Sequence, residues 1–160
     1  MSMDNVNVIR NGFFAPEFSL SSSDGNVVSL RHFIADNFLA LCFFSDRNSN
    51  RIRSILSDLN RDLPRTLYDY EVRAVAVSPD KIHRLNELKS ELGLRYPLLS
   101  DPRLEAAMLY NVVSTSTDAP AVYLSIFVID NEGIIRYRFI ETGENEFKFE
   151  KFKKEISKII

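Results

Sequence analysis

Residues 38–44, Phe-Leu-Ala-Leu-Cys-Phe-Phe, form an unbroken apolar run of strand length. A run with no polar alternation suits a strand covered on both faces, in the middle of a sheet. Beyond it the period changes: Ile52, Ile55, Leu56, Leu59 and Leu63 fall at spacings of three and four, while Arg51, Arg53, Asp58, Asn60 and Arg61 occupy the other positions. That is the stripe of an amphipathic helix starting near Asn50, and Pro64 ends or kinks it.

The same reading extends along the chain. Apolar stretches at 18–20 and 27–30 flank a serine-rich segment with an Asp24-Gly25 hairpin signal, and a short helical turn is expected at 31–35. Residues 72–77 predict a strand, and Ser78-Pro79-Asp80 a helix start with Ser78 as N-cap and Pro79 at the first position. Ile82, Leu85, Leu88 and Leu92 give that helix its apolar face, and Gly93 its end. Asp101-Pro102 opens a short helix to about Tyr110, and 114–120 is polar loop. Residues 123–129 and 134–140 predict two strands joined by a hairpin at Asp130-Asn131-Glu132-Gly133. In the tail, 145–160, Phe149, Phe152, Ile156 and Ile159 share a helical face, with Glu150/Lys154 and Lys151/Glu155 at i, i+4. Strands and helices in this order predict an α/β fold with a mixed sheet and helices on both faces.

Composition narrows the function classes. At 160 residues, with 45% apolar and 26% charged residues and no low-complexity stretch, the chain is expected to form one domain spanning 1–160. A net charge of -2 gives no general reason to expect nucleic-acid binding or an anionic membrane surface. Five lysines in the tail are diluted by three glutamates, so that helix reads as one that docks on a sheet. The start, 1–12, lacks a basic segment followed by an apolar run, and no run approaches membrane-spanning length; a cytoplasmic location is the expectation. His32 and His83 stand apart with no ligand spacing, so neither a metal nor a cofactor is expected. With one cysteine, Cys42, no intramolecular disulfide can form.

Four segments, spread over most of the chain, carry a family resemblance. They are Gly12-Phe13-Phe14-Ala15-Pro16-Glu17-Phe18-Ser19-Leu20, with Asp24-Gly25 and Ser29-Leu30-Arg31-His32-Phe33; Val75-Ala76-Val77-Ser78-Pro79-Asp80; Tyr96-Pro97-Leu98-Leu99-Ser100-Asp101-Pro102; and Phe127-Val128-Ile129-Asp130 with Gly133. In order and spacing they resemble the peroxiredoxins, the alkyl hydroperoxide reductase and thiol-specific antioxidant family of oxidoreductases. The resemblance implies a thioredoxin-like, three-layer fold.

It also implies where the active loop should lie. The family runs from its core strand into a Pro-x-x-x-Thr-x-x-Cys loop at a helix N-terminus. Laid on this chain without a gap, the proline position is Ser45, the threonine position Ser49 and the cysteine position Ile52. The arginine that the family places three residues before the phenylalanine of Phe-Val-Ile-Asp falls at Leu124. Peroxide attack needs a thiolate, activated by a helix N-terminus and a nearby cation. Loss of a nucleophile costs on the order of 10⁶ in turnover in a serine protease.

The expectation is therefore a degenerate site, with a noncatalytic protein that binds a partner or small ligand through the former peroxide site. Ser49, Arg51 and Arg53 are its candidate ligand residues, because a helix N-terminus with arginines can hold a small anion; both arginines also fit a solvated helix face. Two alternatives stay open. Cys42 is either a buried small hydrophobe or the thiol of an antioxidant oxidoreductase that works after local opening. The chain is otherwise a structural subunit, a homodimer or an associate of an active peroxiredoxin.

Overall fold

The computed structural model describes residues 9–114 and 121–159. Of the expected loop at 114–120, all but Ser114 lies outside the described residues, as does most of the N-terminal stretch. Among the described residues, eight strands form one mixed sheet: β1 (Ser19–Ser22), β2 (Val27–Ser29), β3 (Asn37–Phe43), β4 (Thr66–Leu67), β5 (Tyr70–Ser78), β6 (Leu98–Ser100), β7 (Ser125–Ile129) and β8 (Ile135–Ile140). Their order is β2-β1-β6-β5-β3-β7-β8, with β4 paired to β5. β3, β5 and β6 run parallel, and β7 joins β3 antiparallel.

The apolar run is covered on both faces, as its lack of alternation requires. Phe38, Ala40, Cys42 and Phe44 pack with α2 (Asn50–Arg61), α3 (Ile82–Leu92) and α5 (Phe149–Ile156). Leu39, Leu41 and Phe43 point the other way, into a cluster with α1 (Leu30–Ile34) and α4 (Glu105–Leu109). Three layers result, because successive side chains of a strand leave opposite faces.

Several expectations change in detail. Ser78 does not cap a helix: α3 begins at Ile82 with Lys81 as N-cap. Ser78 ends β5, where its hydroxyl donates to Asp80 Oδ2 at 2.6 Å and accepts from the Asp80 N–H at 3.1 Å. This local turn satisfies the groups a cap would have used, and the helix starts later. Residues 98–100 form β6, too short to show a period. Asp101 precedes α4 by several residues, yet its buried carboxylate accepts from the N–H groups of Ala106 and Ala107 at 3.2 and 3.0 Å. Gly93 closes α3 in the left-handed conformation, as expected. In α5 Lys151 pairs with Glu155, while Glu150 takes Lys153 rather than Lys154.

Candidate functional site

α2 begins at the C-terminal end of β3, on the side of the parallel strands where α/β proteins place their sites. The connecting loop is pinned at several points. The Phe44 N–H donates to the Val77 carbonyl at 3.0 Å, and the Ser45 hydroxyl donates to the Val122 carbonyl at 3.1 Å. Arg47 Nη1 donates to Asp80 Oδ1 at 2.5 Å. These contacts tie the loop to the end of β5 and to the segment that leads into β7.

Ser49 caps α2. Its Oγ accepts from the Ile52 N–H at 3.3 Å, and its carbonyl receives the first helical bond, from Arg53 N–H, at 3.0 Å. The cap answers one of the free N–H groups that a helix N-terminus otherwise leaves to an anion. Ile52, in the first turn, is 7% exposed and belongs to the core beneath α2, together with Leu124 at 8%.

Arg51 and Arg53 share this turn and leave it for different partners. The Arg51 guanidinium grips the Glu141 carboxylate through both Nη atoms, with one contact at 2.9 Å, and its Nε lies 3.5 Å from Glu146 Oε1. The Phe147 N–H donates to Glu141 Oε2 at 2.8 Å. Burial pushes the Glu141 carboxyl up, but the Arg51 hydrogen bonds, the Phe147 N–H and the Arg51 charge outweigh it and hold it below the usual glutamate range. The Glu141 N–H donates to the Leu124 carbonyl at 2.9 Å, so the pair sits beside Leu124. Arg53 turns toward α3, where it pairs with Glu91 and donates to the Arg47 carbonyl at 3.2 Å.

Cys42 lies on β3, facing the core beneath α2 at 1% exposure. The space among Cys42, Ile55, Leu124 and Phe147 is too small for water. Burial pushes its thiol up to about 12, since an anion there would have no solvent. His32 and His83 are both exposed on helices. Among the described residues no three acidic, histidine or cysteine side chains gather as a metal site.

The structure thus brings Ser45, Ser49, Ile52 and Leu124 to one end of the sheet and adds residues that sequence reasoning missed. Glu141 and Glu91 stand 90 and 38 residues from the arginines they hold. No local spacing could have joined them.

A mixed sheet around parallel β3, β5 and β6, with α2 opening at the end of β3, defines a thioredoxin-like α/β protein of peroxiredoxin type. Similar solved structures are a peroxiredoxin Q variant from Xylella fastidiosa (TM-score 0.78, 17% identity, 94% of each chain) and AhpC from Enterococcus faecalis (TM-score 0.77, 18% identity, 93% of this chain and 91% of that one). Alkyl hydroperoxide reductase E of Mycobacterium tuberculosis (strain ATCC 25618 / H37Rv) is 30% identical over 129 residues, covering 79% of this chain and 82% of its own. The AhpC/TSA family model matches residues 12–138, and the chain belongs to that family. Among the described residues no helix is long and apolar enough to cross a membrane.

Proposed function

We propose that this chain is a noncatalytic member of the AhpC/TSA family that acts by binding, through the surface around the start of α2. The observation that carries this reading is the placement of its single thiol. Cys42 is buried in the sheet with a raised pKa, while the first turn of α2, where a helix N-terminus would activate a thiol, carries Ile52.

The cationic part of the site supports the same reading. Leu124 brings no charge, and Arg51 is already bound to Glu141, so the position that would steady a developing negative charge holds a carboxylate of the chain itself. A peroxide placed there would meet neither a nucleophile nor a free cation on Arg51. What remains accessible is a polar rim, with Asp46, Asn48, Asn50 and Glu146 exposed around Ser49, suited to hydrogen-bonding a partner protein. The partner we favour is another member of the same family.

The test is stopped-flow consumption of hydrogen peroxide and an organic hydroperoxide under excess dithiol, for wild type and Cys42→Ser. Wild type is expected to match buffer. Thiol-dependent turnover abolished by Cys42→Ser would replace this reading with that of an antioxidant oxidoreductase. The mass of the protein alone and mixed with an active peroxiredoxin, measured by light scattering, then reports the association.

A further inference from the structure

The far end of α2 carries a second feature, independent of the site at its start. With 12 residues the helix is about 18 Å long, so its C-terminus lies well away from Ser49. There, the end of α2, the segment that follows it, the first half of β5 and the α3–β6 connection enclose a cleft of about 580 Å³. That volume is in the range of small-molecule sites.

The lining is unusual for a chain of net charge -2. Arg61, Arg65, Arg73 and Arg95 all border the cleft, against a single carboxylate, Glu71. Two of them are lightly held: Arg61 lies 3.2 Å from Asp58, and Arg73 lies 3.8 Å from Glu71, all near the surface. Arg65 and Arg95 make no ion pair among the described residues.

Their backbones, in contrast, are fixed. The Arg95 N–H donates to Asn60 Oδ1 at 2.9 Å, and Asn60 Nδ2 donates to the Gly93 carbonyl at 3.2 Å, fastening the loop that carries Arg95 to the last turn of α2. The Val72 N–H donates to the Arg65 carbonyl at 2.9 Å and fastens the other side to β5. The floor is apolar, with Leu59, Val72 and Tyr96 buried. The Tyr96 hydroxyl donates to the Leu56 carbonyl at 2.7 Å, which holds its ring in place.

We propose that this cleft binds an oligophosphate chain, of the kind a nucleoside triphosphate carries. Guanidinium groups present a planar fork that matches phosphate oxygens, and several forks spread around a cleft suit a ligand whose charge is spread along its length. A single carboxylate would satisfy one arginine and leave the others unanswered. The apolar floor offers a surface for the organic part of a nucleotide, and the positive charge left after Asp58 and Glu71 offset two of the arginines also raises the local concentration of an anion.

The experiment is calorimetric titration of the full chain with ATP and, separately, with inorganic tripolyphosphate, both without magnesium. Wild type is expected to bind. The double variant Arg65→Ala/Arg95→Ala should lose at least about tenfold in affinity, while Arg31→Ala, on the opposite face, should leave it unchanged. Equal affinity for the two probes supports a site for the phosphate chain alone, and tighter ATP binding supports a nucleoside on the apolar floor. Amide shifts of Tyr96 and Ala74 during the titration should move in wild type and stay still in the double variant. Circular dichroism checks that the variant is folded. The proposal is overturned if neither probe binds wild type at millimolar concentration, or if the double variant binds as wild type does.

Discussion

Arg51, in the first turn of α2, holds the carboxylate of Glu141, which follows the last strand of the sheet, through both terminal nitrogens. The same carboxylate takes the Phe147 N–H, so one side chain joins the start of α2 to the segment that leads into α5. The contact is partly shielded from water, which makes it worth more than an exposed ion pair.

Replacing Glu141 by Ala should therefore destabilise the fold by about 1–2 kcal/mol, read from urea midpoints at neutral pH. It leaves the Phe147 N–H without its acceptor and the half-buried Arg51 guanidinium with only Glu146 and the Phe147 carbonyl. An unchanged midpoint would mean that water replaces the carboxylate at no cost.

The same pair sets a pH dependence. The folded-state pKa of Glu141 is depressed, so its stabilisation is fully present above the ordinary glutamate range, about 4.3, and is lost as pH falls through the lower folded value. Wild type should lose more stability between pH 6 and pH 3 than Glu141→Gln. Parallel curves for the two proteins would show that Glu141 titrates normally.

Cys42 should be almost inert in the native protein. A thiol at about 12 has a thiolate fraction near pH 8 roughly a thousandfold below that of a free cysteine, and no path for a reagent besides. Labelling by a chromogenic disulfide should be slow in buffer and immediate in denaturing guanidinium. Because the folded pKa is raised, the stabilisation from the neutral thiol is present below the unfolded value, about 8.5, and declines as pH rises above it. Fast labelling in buffer would contradict the burial.

Ile52→Cys tests whether the first turn of α2 is the former nucleophile position. A thiol there sits in the first turn, at the positive end of the helix, which lowers its pKa against the upward push of its mostly buried position. Its thiolate would form an S–O bond as the peroxide O–O bond breaks, the leaving oxygen taking a proton, and dithiol would then reduce the sulfenic acid. Peroxide consumption should rise at least about tenfold over wild type, short of an efficient enzyme because Leu124 adds no charge. A thiol there with an ordinary pKa and no peroxide reaction would argue against the assignment.

Asp69→Gly should raise stability by about 0.5–1 kcal/mol. Tyr68 and Asp69 link β4 to β5 with φ of 52° and 66°, the left-handed region that a two-residue hairpin demands and that glycine enters without penalty. The thermal midpoint should increase. A decrease would show that the Asp69 side chain contributes more than its backbone costs.

Legibility along the chain followed the range of the interactions. The β3 run and the α2 stripe were readable because burial imposes a period on neighbouring residues. Ser78 misled because Ser-Pro-Asp suits both a helix start and a turn, and the contact of Asp80 with Arg47, 33 residues earlier, helps hold the turn. β6 escaped notice because three residues, all buried, show no alternation.

The amino-acid sequence by itself determined the layered α/β architecture, the start of α2 after β3 and the identity of the single thiol, since each depends on local period or on composition. Only the tertiary structure decided that Arg51 belongs to Glu141 and Arg53 to Glu91, and that Arg61, Arg65, Arg73 and Arg95 border one cleft. Charge pairing acts through space between side chains that the fold brings together, and nothing in their sequence spacing records that distance.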